Sequence, residues 1–259
     1  MSDYLKATIR RGAVTLSLRA RGTGPLLVLL PGLGRPSADL DPLAARCVAA
    51  GYRVVQPDLR GSGSVGPLEG LTLHDLAADV AAVIERAGSP AVIIGHGFGN
   101  RIARMVAADW PDLVRAVVLL GCSGLVPPTP QIAEAIRLAQ AEDTDQRTRE
   151  QAVRDAWFAP GRDISAWMTG WSQPVMKAYL AAAAATDTAS WWTAGRAPVV
   201  IIQGLADVSA PPENGRRLKA EIGDRAVLVE LPGIGHALPV EDPATVADAV
   251  IAELAKLPC

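Results

Sequence analysis

The sequence has few of the residues on which metal and disulfide chemistry depend. It contains three histidines and three cysteines among 259 residues. The cysteines, Cys47, Cys122 and Cys259, are odd in number and do not have the spacing of a zinc site. Three histidines cannot build a three-histidine metal site and also supply a catalytic base, which argues against metal catalysis. We therefore expect no metal and no cofactor, and the cysteine usage predicts a reduced, cytoplasmic compartment.

Long apolar runs and blocks of one charge are also missing. No apolar run approaches the roughly 20 residues of a membrane span, and residues 1–6 lack the charged and apolar regions of a signal peptide. The formal net charge is −2 without a basic block, which disfavours nucleic acid and anionic membranes as partners. We expect a small molecule as the partner, and the absence of coiled-coil heptads leaves the oligomeric state open.

Hydrophobic residues make up 49% of the chain and fall into short runs separated by helical patterns. Continuous apolar runs of this length are typical of strands buried on both faces of a parallel sheet, and residues 6–20 alternate like an edge hairpin. The alternation predicts an α/β fold with a doubly wound, mostly parallel sheet. Strands are expected at 26–30, 53–55, 91–94, 116–120, 198–202 and 226–231, and helices at 38–50, 73–87, 98–110, 212–222 and 242–256.

Residues 125–192 interrupt this alternation. They contain helical patterns without a convincing strand, and they hold five of the six tryptophans. This predicts a helical insertion between two parts of a core, residues 1–124 and 193–259. Tryptophans in such a segment either pack it onto the core or line an apolar ligand pocket, and the sequence is compatible with both. The five are Trp157, Trp167, Trp171, Trp191 and Trp192.

The most informative segment is 91–100, which reads Ala-Val-Ile-Ile-Gly-His-Gly-Phe-Gly-Asn. A β-branched strand runs into a glycine-rich turn centred on Gly97, and a helix follows. This layout resembles the nucleophile elbow of the α/β-hydrolase family, Gly-x-Ser-x-Gly, with Gly97 at the position of the serine. The resemblance implies a sheet of the α/β-hydrolase type, with residues 125–192 as a helical lid inserted after the sixth strand.

Two further segments match the family's chain order of nucleophile, acid and histidine. Asp207 ends the run Val-Ile-Ile-Gln-Gly-Leu-Ala-Asp, and His236 lies in Leu-Pro-Gly-Ile-Gly-His-Ala-Leu-Pro. The resemblance implies that Asp207 orients the imidazole of His236. It also implies that the backbone amides of Leu33, in the loop after an early strand, and Phe98, at the start of a helix, form an oxyanion hole.

Other polar residues near these motifs are weaker candidates. Cys122 and Ser123 are alternative nucleophiles, although no motif holds them at the elbow. We expect His96 to pack beneath the elbow and His74 to lie at the surface near a helix start. The candidates for substrate binding are Gly32, Arg35, Ser123, Trp157, Trp167, Trp171 and Trp192.

Three explanations account for a glycine at position 97. In the first explanation, the chain is an enzyme that acts on a small, partly apolar carbonyl compound without a serine, and His236 with Asp207 is a general base on water or substrate. Cleavage of an ester, a lactone or a C–C bond fits this explanation, as do lyase-type and isomerase-type proton transfers. Alternatively, the chain is a non-catalytic protein that binds a small ligand, or a serine esterase inactivated by substitution at position 97. The retained Asp207, His236 and oxyanion loop favour the first explanation.

Overall fold

Eight strands form one sheet that organises the chain. The computed structural model describes residues 4–88 and 90–257, so Cys259 and the first three residues of the segment considered for a signal peptide lie outside the described residues. The strands are β1 (Leu5–Arg11), β2 (Val14–Arg21), β3 (Leu26–Leu30), β4 (Arg53–Pro57), β5 (Ala91–His96), β6 (Val114–Leu120), β7 (Val199–Gly204) and β8 (Ala226–Leu231). Their order across the sheet is β1-β2-β4-β3-β5-β6-β7-β8.

The predicted α/β fold with a mostly parallel sheet is confirmed. The hairpin β1–β2 and the pair β2–β4 are antiparallel, and all other neighbouring strands are parallel. Strands β3, β5 and β7 are buried along their whole length, because apolar clusters cover both faces of the sheet. The parallel order brings the carboxyl ends of these central strands to one edge, where open α/β sheets bind ligands.

Helices fill the connections between the strands. They are α1 (Asp41–Ala49), α2 (Leu73–Ala87), α3 (Phe98–Asp109), α4 (Pro130–Gln140), α5 (Gln146–Trp157), α6 (Gln173–Ala184), α7 (Glu213–Ile222), α8 (Leu238–Glu241) and α9 (Pro243–Leu254). The helix expected over 38–50 is divided into a 3₁₀ turn (Ser37–Leu40) and α1. Pro42 lies in the first turn of α1, where a missing N–H costs nothing, so the α-helix begins just before it.

The segment between β6 and β7 contains α4, α5 and α6 and contributes no strand in the part of the chain that the structure describes. We call residues 125–192 the helical insertion. It has an apolar cluster of its own, which the core residue Ala237 joins beside His236. The insertion residues of this cluster are Ala139, Ala152, Val153, Ala156, Trp157, Phe158, Ile164 and Trp167.

Two absences concern the described residues alone. None of their helices combines the length and the apolar character needed to cross a bilayer. No group of three or more histidine, cysteine, aspartate or glutamate side chains among them is arranged to hold a metal ion.

Two glycines let α3 lie directly against the ends of β3 and β5. A Cβ at Gly99 would lie 2.5 Å from the carbonyl oxygen of Leu30 and 2.6 Å from that of Pro31. A Cβ at Gly95 would lie 2.5 Å from the carbonyl group of Gly99. Because backbone atoms occupy these places, a side chain at either position would push the helix off the sheet.

We predict that Gly99→Ala destabilises the protein by about 3 kcal/mol or more, since overpacking against backbone cannot relax cheaply. Gly215→Ala is the matched control, because that buried glycine also lies in a helix but its added Cβ would meet only side-chain atoms, at 3.1 Å and beyond. Urea unfolding of both variants measures the difference. Equal stability of the two variants would contradict the close packing of α3.

Candidate active site

The turn after β5 has the backbone conformation of a strained elbow. Gly97 has φ +52° and ψ −110°, a region that glycine enters at little cost and other residues rarely adopt. Its N–H donates to the carbonyl oxygen of Leu120 at the end of β6, at 3.0 Å. The turn is therefore held at the carboxyl edge of the sheet, and α3 begins at the next residue.

Asp207 and His236, which follow β7 and β8, meet beside this turn. The Nδ1 atom of His236 lies 2.8 Å from Oδ2 of Asp207. The other carboxylate oxygen accepts a hydrogen bond from the backbone N–H of Ala210 at 2.7 Å. Because a carboxylate can only accept, Nδ1 carries the proton that it donates, and Nε2 of a neutral His236 is left with a lone pair.

Neighbouring residues fix this pair in place. Gln203 donates from Nε2 to the carbonyl oxygen of Ala210 at 3.0 Å and accepts from the backbone N–H of Cys122 at 2.9 Å. Gly121 leaves room for the pair, because a Cβ there would lie 3.2 Å from Oδ2 of Asp207 and 3.3 Å from Nδ1 of His236. The acid is therefore oriented by the ends of both β6 and β7.

Nε2 of His236 points at the place where a side chain on residue 97 would begin. A Cβ at Gly97 would lie 3.1 Å from Nε2 and 3.6 Å from Cε1 of the same ring. Both residues line the same cavity. Nε2 of His236 therefore faces the cavity, and residue 97 places no hydroxyl in front of it.

His96 supports the histidine loop from below. Its Nε2 donates to the backbone carbonyl oxygen of His236 at 2.8 Å, and its ring lies against Trp167. Burial, reinforced by the nearby His236, lowers the pKa of His96 to about 3. A neutral ring with one donor is what this contact requires, which agrees with the packing role expected for His96.

Glu241 ties the same loop to the helical insertion, and the sequence analysis did not identify it. Its Oε1 accepts from the backbone N–H of Gly235 at 2.9 Å and from that of Ala159 at 3.2 Å. The N–H of Ala237 donates to the carbonyl oxygen of Trp157 at 2.9 Å. The residues on both sides of His236 are thus bonded to the end of α5.

A cavity of about 270 Å³ lies between the sheet edge and the insertion. Leu33 and Phe98 both line it, and Phe98 is the first residue of α3, where an amide has no carbonyl partner within the helix. This arrangement suits the backbone donors that the resemblance implies. The remaining lining residues are Gly32, Arg35, His96, Gly97, Arg101, Ser123, Pro128, Ile136, Gln140, Trp157, Trp167, Trp171, Leu180, Ser209, Ala210 and His236.

The tryptophans divide into two groups. Trp157, Trp167 and Trp171 line the cavity and pack on one another, with ring centroids 4.7 to 5.4 Å apart. Trp192 was expected to bind substrate, but the structure does not bring it to the cavity. Its indole N–H donates to Glu221 at 2.7 Å, which draws the ring towards α7.

Two other expected binding residues, Arg35 and Ser123, reach the cavity but have partners within the protein. Arg35 reaches the cavity, but its guanidinium group is bonded to Asp39 (Nε to Oδ2, 2.7 Å) and to the carbonyl oxygen of Ala166 (2.9 Å). It also stacks on Trp171, so it connects the loop after β3 to the insertion rather than facing the cavity with free donors. Ser123 lines the cavity, and its hydroxyl is the acceptor of a long contact from Nε of Arg101, at 3.4 Å.

Arg101 was missed by the sequence analysis although a signal was present. It lies four residues after Gly97 in α3, one helical turn along, and three residues after Phe98, on the same face. That spacing places its side chain beside the elbow, and Arg101 does line the cavity.

The sheet, the elbow and the acid–histidine pair together define the architecture of an α/β hydrolase. The sequence profile of the Alpha/beta hydrolase family matches residues 27–249. The chain therefore belongs to the alpha/beta hydrolase family and is a hydrolase-family enzyme.

Individual relatives agree with this assignment. A Mycobacterium tuberculosis protein named as a non-heme bromoperoxidase, BpoC, is 29% identical over 255 residues, covering 92% of this chain and 97% of the relative. Its crystal structure matches with a TM-score of 0.79 at 27% identity, covering 94% of this chain and 97% of that one. The 2-(acetamidomethylene)succinate hydrolase of Mesorhizobium japonicum is 34% identical over 119 residues, which span 45% of this chain and only 42% of the relative.

The depressed pKa of His96 predicts a pH-dependent stability. Between about pH 6.5 and pH 3, the unfolded chain binds a proton at this ring and the folded chain does not, so stability is lost as pH falls. We expect His96→Gln, which keeps a donor for the His236 carbonyl, to remove a slope of up to about 1.4 kcal/mol per pH unit. Urea unfolding of both proteins at pH 7, 6, 5 and 4 measures this, and parallel curves would contradict it.

Proposed function

We propose that this chain hydrolyses a small, partly apolar carbonyl compound, an ester or a lactone, by direct attack of water. The observation that carries the proposal is the intact Asp207–His236 pair with Nε2 facing a glycine. The Asp207 carboxylate is buried, and its hydrogen bonds to His236 and to the Ala210 amide both offset the cost of that burial and align the imidazole on the cavity. Among the expected alternatives, hydrolysis makes the fullest use of these groups.

The reaction needs only groups of this chain and water. Nε2 of His236 takes a proton from water as the oxygen attacks the carbonyl carbon, and Asp207 stabilises the imidazolium that forms. The carbonyl π electrons move to the oxygen, which the amides of Leu33 and Phe98 stabilise. When the intermediate collapses, the C–O bond to the leaving group breaks and His236 returns the proton to the departing alkoxide. An ester gives a carboxylic acid and an alcohol, and a lactone gives a single hydroxy acid.

The two alternative nucleophiles lack the surroundings that they would need. Cys122 is fully buried, and burial raises the pKa of its thiol, which disfavours the reactive thiolate. Ser123 lines the cavity, but its hydroxyl contacts Nε of Arg101, and a guanidinium group cannot serve as a base. Water activated by His236 is the nucleophile that fits the observed contacts.

The helical insertion acts as a lid in this proposal, with residues 1–124 and 193–259 as the core that it covers. Trp157, Trp167 and Trp171 present an apolar wall to the cavity, which favours an apolar portion in the substrate. A cavity of about 270 Å³ limits that substrate to a small molecule. The cytoplasmic location stays a prediction, to which the free, buried thiols of Cys47 and Cys122 are suited.

One observation keeps the inactivated-esterase alternative as a second candidate. A serine Cβ at position 97 would lie 3.1 Å from Nε2 of His236, so the ring would need to move by only a few tenths of an ångström. The elbow conformation at Gly97 is also retained. A serine at position 97 therefore fits after a small shift of the ring, at the cost of the strain that a side chain has at this positive φ, and it makes a useful test.

We predict that His236→Ala and Asp207→Asn lower kcat/KM for activated esters and lactones by about 100-fold or more, the usual contribution of a general base. His74→Ala is the matched control, since His74 is half exposed and contacts Asp109 on the surface. The measurement is steady-state hydrolysis over a panel of substrates by the four proteins. Unchanged turnover in His236→Ala would rule out the proposed base.

We predict that Gly97→Ser does not raise kcat, because its side chain would crowd Nε2 of His236 at 3.1 Å and fill the place of the attacking water. We also predict that the wild-type protein releases alcohol without a burst, since no acyl-enzyme accumulates. Stopped-flow mixing of both proteins with an activated aryl ester measures the burst. A burst of one equivalent together with a large gain in kcat for Gly97→Ser would favour the inactivated esterase instead.

A further inference from the structure

The buried arginines of this protein differ in how their charge is balanced. Arg35 is 2% exposed and forms an ion pair with Asp39, and Arg60 is 4% exposed and forms a two-point ion pair with Asp79. These are the pairs expected for a guanidinium group removed from water. Arg101 has no such partner among the carboxylates of residues 4–88 and 90–257.

Arg101 is partly buried and faces the cavity from the first turns of α3. Its Nε contacts Oγ of Ser123 at 3.4 Å, and its Cζ lies 5.7 Å from the ring centroids of both Phe98 and Trp191. Nη1 and Nη2 make no hydrogen bond within the described residues, and neither nitrogen is sealed from solvent. The two terminal nitrogens, Nη1 and Nη2, are therefore available to donate hydrogen bonds to a ligand.

Arg104 adds a second uncompensated cation behind the first. It is fully buried, and its donors reach only neutral acceptors, the carbonyl oxygens of Asn100, Ser123 and Trp192 and the side-chain oxygen of Asn100. Burial lowers the pKa of both guanidinium groups. That direction shows the cost of holding these charges without an anion beside them.

The cavity wall offers no anion to Arg101. Its lining residues include no aspartate or glutamate, and the only other arginine or lysine among them, Arg35, is already neutralised by Asp39. A cavity of apolar walls with one free guanidinium group strengthens any interaction with a negative ligand group, because the local dielectric constant is low.

We propose that Arg101 binds a carboxylate of the substrate, so that the compound hydrolysed is a monoanionic acid that carries an ester or lactone elsewhere. That the anion belongs to a substrate rests on the proposed function, whereas its binding in this cavity does not. A carboxylate matches the planar, two-point geometry of guanidinium. It also matches the single charge presented to the cavity, because Arg104 is fully buried and does not line it. A phosphate monoester brings nearly two charges near pH 7 and fits this wall less well.

The binding test uses two probes of equal shape, cyclohexanecarboxylate and cyclohexanecarboxamide. Neither absorbs at the excitation wavelength of tryptophan, and the cavity tryptophans report occupancy by fluorescence. We expect the carboxylate to bind the wild-type protein about 10- to 100-fold more tightly than the amide, as for a charge-assisted hydrogen-bonded pair. Arg101→Gln should lose this preference and Arg101→Lys should retain part of it. Equal binding of the two probes by the wild-type protein would overturn the proposal.

Arg46→Gln is the matched control, because Arg46 is a half-exposed arginine on α1 whose loss changes the net charge equally. Arg46→Gln should keep the full preference for the carboxylate over the amide. If it loses as much of that preference as Arg101→Gln does, the net charge of the protein, not the cavity, selects the anion. Arg101→Gln should be at least as thermally stable as the wild-type protein, since it removes an unbalanced buried charge. A carboxylate preference that survives Arg101→Gln would overturn the assignment.

Titrations with the two probes, combined with hydrolysis assays of the wild-type, His236→Ala and Arg101→Gln proteins, separate this inference from the proposed function. If no ester or lactone is hydrolysed yet the carboxylate preference depends on Arg101, the site binds an anion and the proposed reaction fails alone. If hydrolysis depends on His236 but carboxylate-bearing and neutral esters react equally in wild type and Arg101→Gln, the proposed reaction holds and the role of Arg101 is overturned.

Discussion

The hydrogen bond between Asp207 and His236 is the contact on which the rest of the site depends. It joins the loops that follow β7 and β8, which are neighbouring parallel strands. These two strands therefore have to pair correctly before the two side chains can meet. The bond also sets which ring nitrogen keeps a free lone pair, and that nitrogen faces Gly97. Without this contact the cavity would be an apolar cleft with no defined chemistry.

Much of the surrounding structure serves to hold the imidazole still. His96 bonds to its carbonyl oxygen from below, and Glu241 bonds to the amide before it from the side of the insertion. Gly121 keeps side-chain atoms away from the pair. A base that acts on water has no covalent intermediate to position the substrate for it, so catalysis relies on preorganised groups.

The sequence predicted the sheet from local signals, and the pairing of Asp207 with His236 from the resemblance to the α/β-hydrolase chain order. Short apolar runs mark buried strands, and Asp207 and His236 each follow such a run. Trp192 was misplaced because its contact with Glu221 spans 29 residues, and nothing in its local pattern separates it from Trp171. The free charge of Arg101 was equally hidden, since whether a carboxylate lies nearby is decided by tertiary packing.

Gly97 suits the backbone conformation of the turn but lacks the nucleophilic side chain that the elbow of this family usually carries. Glycine adopts the positive φ of this position with little strain, but it provides no side chain that could attack a substrate. Intact-protein mass spectrometry after acid quenching, during steady-state turnover of an ester by the wild-type protein, tests the central claim most directly. Direct attack by water predicts only the unmodified mass while product accumulates. An increase by the mass of the acyl group would show a covalent intermediate and would contradict this account.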